Sequence, residues 1–357
     1  ASAELQGDVP LSLSLQGRVT RAPVYGQTMT LDAKGTLDDL DIQMRTAGNA
    51  EAALDARIQA FEPGLPFTVN LNADQLRWPL ASRPFAPFTD LDDGLDEAAI
   101  LAARKLQDVQ AIEQTAPQYQ LDHLALNVDG TLANYRADLD LAGQGAGLPP
   151  ATLKLAGKGD LDHFAWQPMQ VASQGGKLES QGTVRWAPAL SASVHLDFQQ
   201  LPLGAFSQTI TGQLNGQTQA AFAMRDDGGW QLAVPRLAID GRLQQRALSL
   251  HAQVDGNSEM QWNIRELDFR QGDNRITASG RVDRNLDIEG RIDAPALGTI
   301  LPDLSGALSG RFQGRGTLER PQIAVDLQGR GVGYAENRLE QLALKADSTG
   351  TQDPQFD

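Results

Sequence analysis

Not one of the 357 residues is a cysteine. That excludes a disulfide framework, thiolate metal sites and a cysteine nucleophile, and it leaves the compartment open. Aromatic residues make up only 6% of the chain, which argues against a sugar-stacking platform. No segment reaches the ~18 consecutive apolar residues of a membrane span, and none has the layout of a signal peptide. A basic excess is also missing. Thirty Lys and Arg stand against 45 Asp and Glu, a net charge of −15. No basic face for nucleic acid is therefore expected. The charges are dispersed over positions such as Asp138 and Asp140, the pattern of a solvated outer face.

Signatures of catalysis are absent as well. The four histidines, His123, His163, His195 and His251, lie far apart, and none belongs to an H-E-x-x-H or H-x-H motif. There is no G-x-S-x-G elbow and no phosphate-binding G-x-x-x-x-G-K-[ST] loop. Gly329, Gly331 and Gly333 follow Val325 and Leu327 in an alternating strand pattern, with no strand-to-helix context. Carboxylates are plentiful, but the sequence gives no pair priority as an acid/base couple. No catalytic residue, metal ligand or cofactor is assigned. Trp78, Trp166, Trp186, Trp230 and Trp262 read as inward anchors or groove-end residues.

What the chain does contain is alternation. Apolar residues recur every second position from about Leu11 to Ala346, and in a strand residues two apart share a face. The residues assigned to the inward face are Leu11, Leu13, Leu15, Val69, Leu71, Leu124, Leu126, Val128, Leu139, Leu141, Leu153, Leu155, Val184, Val194, Leu196, Phe198, Leu248, Leu250, Val254, Ile264, Ile276, Val282, Ile288, Ile292, Val325 and Leu327. Glycines fall repeatedly on the same side, at Gly17, Gly35, Gly130, Gly182, Gly241, Gly280, Gly290 and Gly316. A mid-strand glycine costs stability and marks a bend or a close approach. A repeated one predicts a long all-β sheet of antiparallel type, creased strand after strand and curled around an apolar groove. No Ser/Gly-rich or Pro-rich linker splits the chain, so an elongated architecture of neighbour-only contacts is expected. The irregular spacing argues against a β-helix or propeller.

Three segments are expected: a β-block over 1–80, an insertion over 81–117, and a second β-block over 118–357 that continues the same sheet. In the insertion, Pro84 and Pro87 break the pattern and Asp90, Asp92 and Asp93 supply N-cap candidates. Leu95, Ala98, Ala102, Leu106, Val109 and Ile112 then form a narrow stripe that predicts a helix over 95–114. It could be a surface excursion, a cover for the groove mouth or a sheet edge, or a partner-binding element. Asp129-Gly130, Asp227-Gly228, Asp240-Gly241 and Asp255-Gly256 could be hairpin turns; alternation continues through the first and third, so those two could equally be mid-strand. Ala1 does not look like a natural start, and the chain is expected to be part of a longer protein.

Several stretches are similar to the TamB family, whose members are large subunits of the bacterial translocation and assembly module and are related to AsmA-like proteins. The run from Leu301-Pro302-Asp303-Leu304 through Gly310, then Gly316-Thr317-Leu318 and Arg320-Pro321, resembles a signature of that family. Leu201-Pro202-Leu203 with Thr211-Gly212-Gln213-Leu214-Asn215-Gly216 is a weaker echo. Residues 74–80, 117–121 and 175–186 fit the same family, and coverage is nearly complete except about 81–116. The resemblance implies a curled, taco-shaped sheet in a bridge-type lipid-transfer protein, with no catalytic residues. It implies a periplasmic location, an inner-membrane anchor missing here, and an Omp85-type outer-membrane barrel partner bound through a region outside this chain. The expected function is conduction of phospholipid acyl chains along the groove. The competing reading is a scaffold or chaperone for outer-membrane protein assembly that works by strand addition. A third, a glycan-acting enzyme, would need clustered inward carboxylates, and the inward positions are aliphatic.

Overall fold

The computed structural model describes residues 9–20, 26–48, 50–78, 119–145, 147–205, 209–348 and 355–356. The chain divides into two compact units, Ala1–Leu161 and Asp162–Asp357. The first contains eight strands: β1 (Leu11–Arg18), β2 (Thr28–Gly35), β3 (Leu40–Ala47), β4 (Glu51–Ile58), β5 (Phe67–Trp78), β6 (Tyr119–Thr131), β7 (Asn134–Gly145) and β8 (Leu148–Gly159). The second begins with β9 (His163–Ser173), β10 (Gly176–Arg185), β11 (Ser191–Pro202), β12 (Gly212–Met224), β13 (Trp230–Leu243), β14 (Arg246–Asn257) and β15 (Trp262–Gln271). It continues with β16 (Asn274–Val282), β17 (Asn285–Ala294), β18 (Leu304–Thr317), β19 (Arg320–Tyr334), β20 (Asn337–Asp347) and the short β21 (Gln355–Phe356). Among the described residues the only helical turns are two 3-10 turns, Leu203–Ala205 and Leu297–Thr299.

Within each unit every strand pairs antiparallel with its sequence neighbours. The first unit is an unbroken meander from β1 to β8. The second is a meander from β9 to β21. Neither unit pairs its first strand with its last. The fold is thus all-β, antiparallel, unclosed and curled, as the alternation predicts. Segment 81–117, with the helix expected over 95–114, lies outside the described residues. The strands on either side of it are direct neighbours, paired from Phe67↔Gly130 to Trp78↔Tyr119. Of the four Asp-Gly pairs, only Asp227-Gly228 turns a hairpin; Gly130, Gly241 and also Gly256 are inside strands. For Asp255-Gly256 this corrects the expected turn. The reversal comes after it, and Trp262, paired with Gly256, lays its ring where a side chain at Gly256 would be.

Strand formation follows from the sequence. Leu40–Ala47, for example, alternates half-buried Leu40, Ile42, Met44 and Thr46 with exposed Asp41, Gln43, Arg45 and Ala47. Bulges keep that phase where the sequence slips. Opposite Gln219 and Ala221 of β12, β13 uses Arg236 and Ala233, one extra residue. Pro235 sits in the bulge, where its missing N–H does no harm. Because of the bulge, Leu232 and Leu237, of opposite sequence parity, face the same side. β15 does the same at Arg265-Glu266.

Seven of the eight inward glycines are of two kinds; Gly17, in open surroundings, is of neither. Gly35, Gly130, Gly241, Gly280 and Gly316 have positive φ. At Gly280 (φ +133) a Cβ would also strike the carbonyl oxygen of Asp287 on the next strand. At Gly182 and Gly290 φ is ordinary, and the position is filled by a neighbour's ring, Trp166 or Phe312.

Two outcomes are expected. Gly280→Val forces a β-branched residue into a left-handed conformation and should cost about 1–3 kcal/mol or more. Gly17→Ala, with nothing within 4 Å of the added carbon, should change stability by less than about 0.5 kcal/mol. Urea-denaturation midpoints check both. Replacing residues 81–117 with a short turn should leave the β-sheet circular dichroism intact, because β5 and β6 already pair across it.

Candidate functional site

A sheet of this length, if it were one wall of an ordinary core, would bury its apolar side. This one does not. Among the described residues the buried apolar side chains are Ala73, Phe198, Ala252, Ala294 and Leu297. The remaining inward residues are half-buried or exposed, as Leu11, Leu13 and Leu15 are in β1 and Leu344 is in β20. The candidate site is therefore the inner face itself.

Its order appears when residues are followed across strands. In the first unit, Leu15, Leu31, Met44, Leu54, Leu71, Leu126, Leu139 and Leu155 lie directly opposite one another from β1 to β8. A parallel rung holds Leu13, Ala33, Ile42, Ala56, Val69, Val128 and Ala137. Ala73, Leu124, Leu141 and Leu153 form part of a third. At ~4.8 Å per strand, seven spacings make an apolar track ~34 Å long. The opposite face is polar on the same rows, as in Asp32, Gln43, Asp55, Asn70, Asn127 and Asp138.

The second unit repeats the arrangement over twelve strands. One rung runs Val171, Leu178, Phe198, Gly216, Ile239, Leu250, Phe269, Ile276, Ile292, Gly310, Leu327 and Leu344. Leu196 lies on the next, with Leu237, Ala252, Leu267, Phe312 and Val325. Another joins Val254, Ile264, Gly280 and Ile288. Leu248 pairs with Gly241, Val194 with Gly182, Val184 with Ala192, and Val282 with Trp262 and Leu286. Glycines in these rungs are covered from the side: a Cβ at Gly216 would lie 2.6 Å from the Phe198 ring.

The positions assigned from sequence thus share one face of the sheet within each unit, on or beside these rungs. Several others on the same rungs are missing from that list. Leu31, Met44 and Ile239 belong to alternating runs of the sequence, and Leu54 is a lone large residue among alanines. Phe269 and Phe312 lie next to charge or beyond a bulge. The pairing register, which sequence does not display, is what reveals them.

The outer face carries the charges. Arg45 grips Asp55 through two hydrogen bonds of 2.7 and 3.0 Å, and Lys154 meets Asp140 at 3.0 Å. Asp268 accepts hydrogen bonds from Arg270 and Arg275, and these hold its carboxyl below the usual range against a partial desolvation. A concavity of about 790 Å³ over β15–β20 is lined by Arg265, Arg291, Arg311 and Lys345 among five carboxylates, together with Leu267, Phe312 and Val325 of the apolar rung, so it presents no net positive charge. Among the described residues no group of three or more His, Asp or Glu could hold a metal ion, and no helix is long and apolar enough to cross a membrane.

Comparison with known proteins agrees with the fold. The family model described as "TamB, N-terminal domain" matches residues 1–92 and 105–357. The resemblance thus reaches further into the 81–117 segment than expected, leaving only 93–104 outside. The translocation and assembly module subunit TamB of Haemophilus influenzae is 22% identical over 352 residues, 96% of this chain and 24% of that protein. The chain therefore spans about a quarter of that relative's length. No solved structure matches it. With the family model covering nearly all of an open β-meander, the chain belongs to the TamB family, in its N-terminal domain.

Proposed function

We propose that this chain conducts phospholipid acyl chains along its inner face, as part of a periplasmic bridge between the inner and outer membranes. The observation that carries this is the unbroken register of apolar rungs in the stacking direction, from Leu15 to Leu155 and from Val171 to Leu344. A sliding chain needs continuity along that direction and no deep pocket. An acyl chain spans about half the ~30 Å hydrocarbon thickness of a bilayer, or roughly three strand spacings. The first unit is long enough for about two such chains in file and the second for about three, with head groups left in water. No catalytic step is part of this reading. Full transport would include an inner-membrane anchor and an Omp85-type outer-membrane barrel beyond this chain. The relative's name, a subunit of a translocation and assembly module, supports partners of that general kind.

The scaffold reading needs only a free strand edge, and it makes no demand on the inner face. A charge on a rung separates the two. A one-dimensional path offers no detour, and a carboxylate among acyl chains is costly unless it reaches water. Leu155→Asp and Ile276→Asp, with the more exposed Leu344→Asp on the same rung as Ile276, should cut lipid transfer between vesicles sharply. Asp138→Arg on the outer face should not. Asp138 is the better control, because Asp140 is engaged with Lys154. Circular dichroism confirms folding of each variant. Equal transfer by folded inner and outer variants would remove the conduit and leave the scaffold.

A further inference from the structure

Antiparallel strands give the inner face of the second unit two rims, each made of connections between strands. At one rim the turns are polar: Gln174-Gly175, Gln244-Gln245 and Gly272-Asp273. The two longer connections that carry the 3-10 turns also lie there, after β11 and after β17. The second of these is tied down. Gln271 and Asn274, at the ends of the β15–β16 hairpin, are 0% and 1% exposed. Asn274 Nδ2 donates to Gln271 Oε1 at 2.9 Å and to the Ala296 carbonyl at 3.1 Å, while the Ala296 N–H donates back to Asn274 Oδ1 at 3.0 Å. Gln271 Nε2 donates to the Thr299 carbonyl at 2.7 Å, and Thr299 Oγ1 donates to Gln271 Oε1 at 2.9 Å. Ala294 and Leu297 are buried with them. This rim is strapped shut over β15–β18.

The opposite rim has the reverse chemistry. Its connections expose Trp186, Leu190, Met224, Met260 and Leu318, with Met260 69% and Leu318 58% exposed. Trp186, Met224 and Leu318 are the next inner-face positions beyond Val184, Phe222 and Gly316, so the apolar rungs run out over this edge. Trp230 and Trp262 stand just inside it, edge to face at 6.1 Å. Arginine recurs at the same connections. Arg225 is held by Asp227 and by Glu259 at 2.9 Å. Arg185, Arg284 and Arg320 have no ion pair among the described residues. Carboxylates stand at the same connections: Asp162 beside Arg185, and Asp226, Asp283 and Glu319 along the rim. The contrast between rims ends within the second strap, since Leu301 in it and Tyr334 and Leu339 beyond it are exposed.

We infer that the rim from Trp186 to Leu318 is the lip over which a phospholipid acyl chain enters and leaves the inner face, while the strapped rim is closed to it. The inference rests on the conduit reading. Hairpin tips have spent their backbone groups in turns, so they give an incoming β-strand no edge to pair with. Flexible Met and Leu side chains suit a tail, Trp suits the boundary between tail and water, and free guanidinium groups suit a phosphate.

Photocrosslinking in the full chain tests it, with a diazirine amino acid placed singly and phosphatidylethanolamine–phosphatidylglycerol vesicles as the probe. The lip positions are Met224, Met260 and Leu318. The strapped-rim positions are Gln174, Gln245 and Asp273, and Leu250 reports the inner face. All six rim positions are exposed, so the label need not disturb folding. Lipid adducts at Leu250 and at the lip, several-fold above the strapped rim, are expected. Adducts at Leu250 with equal yields at both rims would overturn the lip and leave the conduit standing. No adduct at Leu250 would remove the conduit and the lip with it.

Discussion

A strand in this protein is held by its two neighbours through backbone hydrogen bonds, and almost nothing lies against its apolar side. Hydrophobic burial is the dominant favourable term in most folds, yet among the described residues only five apolar side chains are buried. What half-buries the rest is their own rung: a leucine is shielded by the leucines one strand away on either side. Cross-strand pairs of this kind are worth roughly 0.2–1 kcal/mol each, and their number makes up for their weakness. The exposed apolar face is a consequence of that economy. A lone soluble domain rarely tolerates such a face, which points to an occupant.

The same constraint explains the glycines and the bulges. A rung stays apolar only if register never slips by one residue, because a slip turns every side chain to the other face. Strands of ten residues or more must also curl. Positive-φ glycines such as Gly280 supply the bend without losing register. The bulges at Val234-Pro235-Arg236 and Arg265-Glu266 absorb the odd residue on one strand and restore phase on both sides of it.

Much of this was legible in the sequence. The period of two fixes the class, and glycines on the apolar parity announce the crease. The limits are physical. Alternation identifies a face but not a register, so the rung that joins Met44 to Leu54 and Leu71 cannot be read from separate strands. Local parity is blind to bulges: Leu232 and Leu237, of opposite parity, share a face only because of the bulge between them. Asp255-Gly256 looks like a turn by composition, but backbone pairing through Trp262 overrides it. Gln271 and Asn274 read as ordinary hairpin polars, because a buried amide network depends on a connection more than twenty residues away.

That network shows how a sheet without a core closes one edge. An apolar clamp across the rim would extend the inner face and offer one more place for a tail to rest. Amide and hydroxyl groups that satisfy one another do the opposite: each is costly to bury alone and stable when complete. The first strap makes the contrast. The hairpin positions that correspond to Gln271 and Asn274 there are Ser173 and Gly176, and Thr299 corresponds to Ala205. No amide knot can form. Instead Gly176 packs against Pro202, whose Cδ would lie 2.8 Å from an added Cβ. The two straps share a rim and a 3-10 turn; the closed set of Gln271, Asn274 and Thr299 fastens the second, and Gln244, whose Nε2 donates to the Thr209 carbonyl at 3.2 Å, meets the first. In the proposed conduit, the side where the rungs end in Trp, Met and Leu needs no fastening, since nothing there has to be kept out.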